Sequence, residues 1–139
     1  MIILDTNVIS ETTKLFPEPN VIAWLNDFPD KSILISAITV MELWAGSAGL
    51  PPGKRKDQFV KQNQFLIGTV YADRVLPFDQ LAAEICGTLL ANNRASGRHV
   101  KLPDTQIAAI ALSRGFTLAT RNIADFQFEG LKLVNPWAE

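Results

Sequence analysis

The chain has 139 residues, with 47% hydrophobic and 19% charged side chains and a formal net charge of -1. That length supports one domain, residues 1–139, with its own core, and the composition excludes a disordered chain. A single cysteine, Cys86, excludes an internal disulfide and a cysteine-based zinc site, and the near-neutral charge argues against a simple polyanion-binding module.

Met1–Leu4 is a short apolar run with no alternation, which reads as a strand buried on both faces. It meets a charge at Asp5 with no basic residues before it, so it does not read as a signal peptide. No uncharged stretch approaches the roughly 20 residues of a membrane helix. A soluble, cytoplasmic protein with no membrane association is expected. Val21, Trp24, Leu25 and Phe28 recur at helical spacing, with Asn20 as N-cap and Pro29 as stop. Ser32–Ser36 reads as a second buried strand, and Ala37–Ala45 as a helix closed by Gly46. Leu50–Gln58 is expected to be a basic loop leading into a helix over Phe59–Leu66. Arg74–Phe78 suits a short strand, and Asp79 caps a helix whose inner face is Leu81, Ala82, Ile85 and Leu89.

Ala95–Lys101 is a polar, basic loop. Pro103 suits the first position of a helix that ends at Gly115. Phe116–Thr120 is a strand, Arg121–Phe126 a polar turn, and Leu131–Val134 a last strand. Strands separated by helices predict an α/β fold, a parallel sheet with helices on both faces.

In such a sheet, ligand sites form at the carboxyl ends of the strands. Asp5 ends the first strand. Asp104 opens a helix that runs back into the next strand, so it lies at the same level, and Asp125 follows that strand in its loop. Glu42 sits about 9 Å along its helix at 1.5 Å per residue, with its side chain tilted back toward the helix start. Four carboxylates from four segments therefore converge on one edge. Taken singly, an Asp in a first helical turn is favoured by the dipole alone, and an Asp in a turn is ordinary. Glu42 is harder to dismiss, because Ile38, Val40, Met41, Leu43, Trp44 and Ala45 around it predict a largely buried helix. A buried carboxylate needs a partner, either a distant Lys or Arg or a divalent cation. Oxygen-only ligands suit magnesium or manganese, which can activate water against a phosphodiester. Of the 14 acids, setting these four aside leaves ten against 13 basic residues. Lys54, Arg55, Lys56, Arg94, Arg98, Lys101 and Arg121 are then available to flank the notch and hold a nucleic-acid backbone, although basic residues in loops are more often plain solvated surface.

ILDTNVISE at the start, SAITVMELWAG around Glu42, PDTQIAAIAL around Asp104, and ATRNIADF followed by VNPW together resemble a PIN-domain ribonuclease. Within that family the chain is similar to VapC toxins of bacterial toxin–antitoxin pairs, particularly the FitB-like branch. The motifs run in order over almost the whole chain. The resemblance implies a three-layer α/β/α fold around a central parallel sheet and magnesium- or manganese-dependent endoribonuclease activity, with RNA hydrolysed by metal-activated water. It carries metal-binding aspartates onto Asp5 and Asp104 and a glutamate onto Glu42. The fourth acid falls either where this chain has Asn122 or at Asp125; Asp125 is preferred, with Asn122 and Thr120 ancillary. A DNA-binding antitoxin that blocks the site, and a homodimer or a larger complex with that antitoxin, are implied as partners.

Other chemistries are thinner. A strand ending in Asp also opens haloacid-dehalogenase-like phosphatases, but the second acid they need is Asn7 here. His99 has no nucleophile-elbow motif to serve, and no Walker or dinucleotide-binding pattern is present. Cys86 lies mid-helix, where a buried free thiol is the ordinary case. From a different class, a non-catalytic PIN-like module that grips RNA or an antitoxin is the alternative; four acids are a poor way to bind a polyanion.

Overall fold

Strand β1 (Ile2–Leu4) lies at the centre of a five-stranded sheet ordered β3-β2-β1-β4-β5, parallel throughout. The computed structural model describes all 139 residues, Met1–Glu139. The other strands are β2 (Ile33–Ser36), β3 (Val75–Leu76), β4 (Thr117–Ala119) and β5 (Leu133–Val134). Between β1 and β2 run helices α1 (Thr6–Thr12) and α2 (Pro19–Asn26). Helices α3 (Ala37–Ala48) and α4 (Lys54–Phe65) lead to β3, and α5 (Gln80–Ala95) and α6 (Leu102–Arg114) lead to β4.

The absence of alternation in β1 and β2 has a direct cause. Successive side chains point to opposite faces, and both faces are covered. Ile3, Leu34 and Leu118 enter one core with Ile107, Ile110 and Ala111 of α6. Leu4, Ile35 and Ala119 enter a second core with Val8, Ile9, Val21 and Trp24 of α1 and α2. This is the expected three-layer α/β/α arrangement. No helix is long and apolar enough to cross a membrane.

Several local expectations are corrected. Asp5 follows the first strand as expected, but it is also the N-cap of α1, a helix the sequence pattern did not predict, and its side chain accepts from the Thr6 N–H at 2.8 Å. Helix α2 starts at Pro19, one residue before the expected cap Asn20, because proline's missing N–H costs nothing in a first turn. Helix α3 runs through Gly46 to Ala48. The expected basic loop at Lys54–Gln58 is the start of α4, whose Asn63 donates to the Leu43 carbonyl at 2.9 Å and so staples α4 to α3. On α5, Asp79 caps as expected, but Leu81 faces solvent and Ala82 and Cys86 form the buried face. Helix α6 closes at Gly115, whose φ of 68° is the left-handed conformation a C-terminal glycine supplies.

The sheet order decides where a ligand can sit. From β1 the chain crosses to β2 on one side, and it returns to β4 on the other. The crevice outside the carboxyl ends of β1 and β4 is thus the topological switch point. Asp5 follows β1 and Thr120 follows β4, and the Asp5 N–H donates to the Ala119 carbonyl at 2.9 Å.

Candidate active site

Asp5 is 6% exposed, and both its carboxylate oxygens are held. Oδ1 accepts from the Thr6 N–H at 2.8 Å, and Oδ2 accepts from the Thr120 hydroxyl at 2.8 Å. The Thr120 oxygen itself accepts from the Asn122 N–H at 3.0 Å and, more weakly, from Asn7 Nδ2 at 3.4 Å. With both lone pairs used, its one proton is directed at Asp5. These bonds favour the ionised carboxylate, yet burial outweighs them. Desolvation, with smaller contributions from the charges of Glu42 and Asp125, raises the Asp5 pKa above its ordinary value.

Glu42 reaches back to the start of α1 as its helical tilt predicts. Its Oε1 accepts from the Thr6 hydroxyl at 2.7 Å, and Thr6 Oγ1 lies 3.0 Å from Thr39 Oγ1. The Thr6 proton goes to the carboxylate, so the Thr39 hydroxyl completes a short relay toward it. The expectation of a buried α3 is overturned: Met41 and Trp44 are exposed and Glu42 is half-buried, since α4 covers only one side of the helix. Glu42's partner is accordingly a neutral hydroxyl, neither Lys nor Arg.

Asp104, in the first turn of α6, has its pKa pushed up to about 6. Burial is the largest cause, followed by the charges of Asp5, Glu42 and Asp125, with Lys101 the one group pulling it down. Asp125 is exposed on a short 3-10 helix, Ile123–Phe126, where a polar turn was expected, and shares a cleft with Asp104. Asn122 contributes its backbone N–H to Thr120, and Asp125 lines the same cleft as Asp104. Asp104 therefore lies within electrostatic reach of the other three acids, and Asp5 within reach of Glu42 and Asp125.

Only two ion pairs occur in the molecule, Lys14–Glu11 and Arg114–Asp79, and neither touches these four carboxylates. No three His, Cys, Asp or Glu side chains close into a ready-made coordination shell. A hard cation does not require one. Magnesium is commonly held by one or two carboxylates, with water and substrate oxygens filling the rest of its octahedron. The donor set fits such an ion: oxygen only, mutually repelling, and in no ion pair with a basic side chain.

Sequence reasoning missed Thr6, Asn7 and Thr39. Their signal was proximity, since Thr6 and Asn7 directly follow Asp5; what they bond to is a matter of tertiary structure.

Residues 2–127 match the model of the PIN domain. The VapC ribonuclease Y4jK of Sinorhizobium fredii is 42% identical over 99% of this chain and 98% of its own. The toxin FitB of Neisseria gonorrhoeae is 37% identical over 99% of both chains. The solved structure of FitAB bound to an IR36 DNA fragment superposes with a TM-score of 0.87 at 36% identity, covering 99% of this chain and 96% of that one. With the α/β/α layers and the acids at the switch point already in place, these likenesses decide the family: the chain belongs to the PIN-domain family, in its VapC and FitB-like branch.

Proposed function

We propose that the chain is the toxin of a VapBC-type toxin–antitoxin pair and acts as a magnesium- or manganese-dependent endoribonuclease. The observation that carries this reading is the gathering of Asp5, Glu42, Asp104 and Asp125 at the switch-point crevice with none of them in an ion pair with Lys or Arg. Asp5 and Asp104 would hold the cation, and Glu42 and Asp125 would complete its surroundings directly or through water. When bound, the ion would acidify a water ligand and neutralise charge on the attacked phosphodiester. The protein's part is orientation. Thr120 and the Thr6 N–H fix the Asp5 oxygens, and the Thr6 hydroxyl holds Glu42 toward them.

The relatives support the rest of the reading. Y4jK is by name a ribonuclease and FitB a toxin, and FitAB was solved on DNA. For this chain we infer a DNA-binding antitoxin partner, a homodimer that enters a larger complex with it, and action in the cytoplasm.

The test is digestion of RNA by purified, antitoxin-free protein with and without Mg²⁺. Cleavage should require the metal and disappear in Asp5→Asn. If wild type and Asp5→Asn leave RNA equally intact, the hydrolase reading fails and a non-catalytic module that binds RNA or an antitoxin takes its place.

A further inference from the structure

Next to the acids lies a feature the proposed chemistry does not use. A cleft of about 240 Å³ is lined by Arg98, His99 and Lys101 together with Asp104 and Asp125. The basic residues come from the segment joining α5 to α6, and the acids from the first turn of α6 and the short helix after β4. Arg98 is no loose surface cation. Its guanidinium lies 5.3 Å from the centre of the Phe128 ring and donates to the Gln127 carbonyl, which ties this segment to the chain just beyond Asp125. A stacked guanidinium is pre-organised, so it loses little freedom on gripping an anion. Lys101 is exposed, and neither residue has an acidic ion-pair partner.

The other groove at this edge, about 620 Å³ and bordered by Glu42, is built differently. Leu43, Leu50 and Leu66 line it, Arg55 lies over Phe59, and Lys14 is held by Glu11 at 2.9 Å. Arg98 and Lys101 are the basic side chains that share a cleft with the acids Asp104 and Asp125. In that cleft the two carboxylates and the two permanent cations balance. Once a divalent cation neutralises the acids, the cleft is left with an excess of positive charge facing the reaction centre.

We propose that Arg98 and Lys101 form the subsite that holds an RNA phosphodiester adjacent to the one being cut. This rests on the ribonuclease reading and gives it a path for the substrate strand: past α6, along the Arg98–Lys101 wall. Each phosphate contact to a single strand contributes about −0.7 to the slope of log affinity against log salt.

The experiment measures binding apart from cleavage. A fluorescent single-stranded oligoribonucleotide is titrated with the full-length Asp5→Asn protein at fixed low Mg²⁺ over a series of NaCl concentrations. Adding Lys101→Ala or Arg98→Ala should weaken binding several-fold and flatten the salt slope by about 0.7 each. Arg98→Lys, which keeps the charge, should retain most of the slope, and His99→Ala should leave it unchanged. Lys101 is exposed with no side-chain partner, so its variant folds even if loss of the Arg98 contacts loosens the loop. Slopes unmoved by Lys101→Ala and Arg98→Ala, or moved instead by Arg55→Ala, would overturn the proposal. Wild-type digestion scores the ribonuclease reading separately: metal-dependent cleavage with unmoved slopes sinks only the subsite. Absent cleavage with slopes that do move sinks the hydrolase and leaves Arg98 and Lys101 as RNA-binding residues of a non-catalytic module.

Discussion

Helix α1 has a buried acid at each end, and the two behave in opposite ways. Asp5 caps its start at 6% exposure and Glu11 lies near its finish at 5%. The Glu11 pKa is lowered, first by its hydrogen bond with Lys14 at 2.9 Å and also by the Glu18 N–H at 3.1 Å. The Asp5 pKa is raised, because burial outweighs two good hydrogen bonds and the neighbouring charges are negative. Burial alone therefore does not mark a functional acid. The mark is a buried carboxylate left without a cation among other carboxylates, an arrangement whose unfavourable energy the proposed metal would relieve.

The strongest way to sharpen this contrast is Asp104→Asn. Cleavage should fall by more than the roughly 10–100-fold that changes in a metal's outer shell cost, because the variant removes a proposed direct ligand. The same variant should be more stable than wild type in metal-free buffer at neutral pH. The Asp104 pKa rises from 3.8 to about 6 in the folded state. Folded protein thus keeps a proton that unfolded protein has released between those values, and stability is lost as pH rises through that window. After allowance for solvent screening the gain at neutral pH is on the order of 1–2 kcal/mol. Melting curves at pH 7.5 and near pH 4 check this: the advantage should be present at the first and absent at the second. A large destabilisation at pH 7.5 would mean that Asp104 is structural.

Thr6→Ala comes next. It removes the hydroxyl that holds Glu42 but keeps the N–H that holds Asp5. Metal affinity by calorimetry and cleavage rate should each drop about 10–100-fold, with little change in melting temperature. Equal rates would disconnect Glu42 from the site.

The pH profile of cleavage is a smaller test. Metal binding needs Asp104 ionised, so the rate should fall about tenfold per unit below its apparent midpoint near 6. Because protons and metal compete, raising Mg²⁺ should move that midpoint to lower pH. A midpoint indifferent to Mg²⁺ would assign the ionisation to another group.

The smallest effect is expected at the other end of α1. Glu11→Gln should lower the melting temperature and leave the cleavage rate per folded molecule unchanged, since its partners are Lys14 and the Glu18 N–H. Loss of cleavage without loss of stability would erase the distinction between the two acids.

Much of this molecule could be read from local pattern. The buried strands, the helix opened by Pro103 and closed by Gly115, and the cap at Asp79 follow from apolar periodicity and backbone chemistry, which act over a few residues. The expected convergence of Asp5, Glu42, Asp104 and Asp125 followed from strand and helix direction, with the tilt of a helical side chain bringing Glu42 back, because a parallel sheet sends every strand's carboxyl end to one edge. Boundaries failed where context overrode preference. Gly46 stays helical within α3 although glycine suggested a stop, and Lys54–Gln58 is helical although its charges suggested a loop. The hydrogen-bonding of Thr6, Thr39 and Thr120, and the fastening of Arg98 to Phe128 and Gln127, were settled only by tertiary structure. Residues up to 115 positions apart in the chain meet there. A hydroxyl's partner depends on which atoms the fold brings within about 3 Å, and no local propensity encodes that distance.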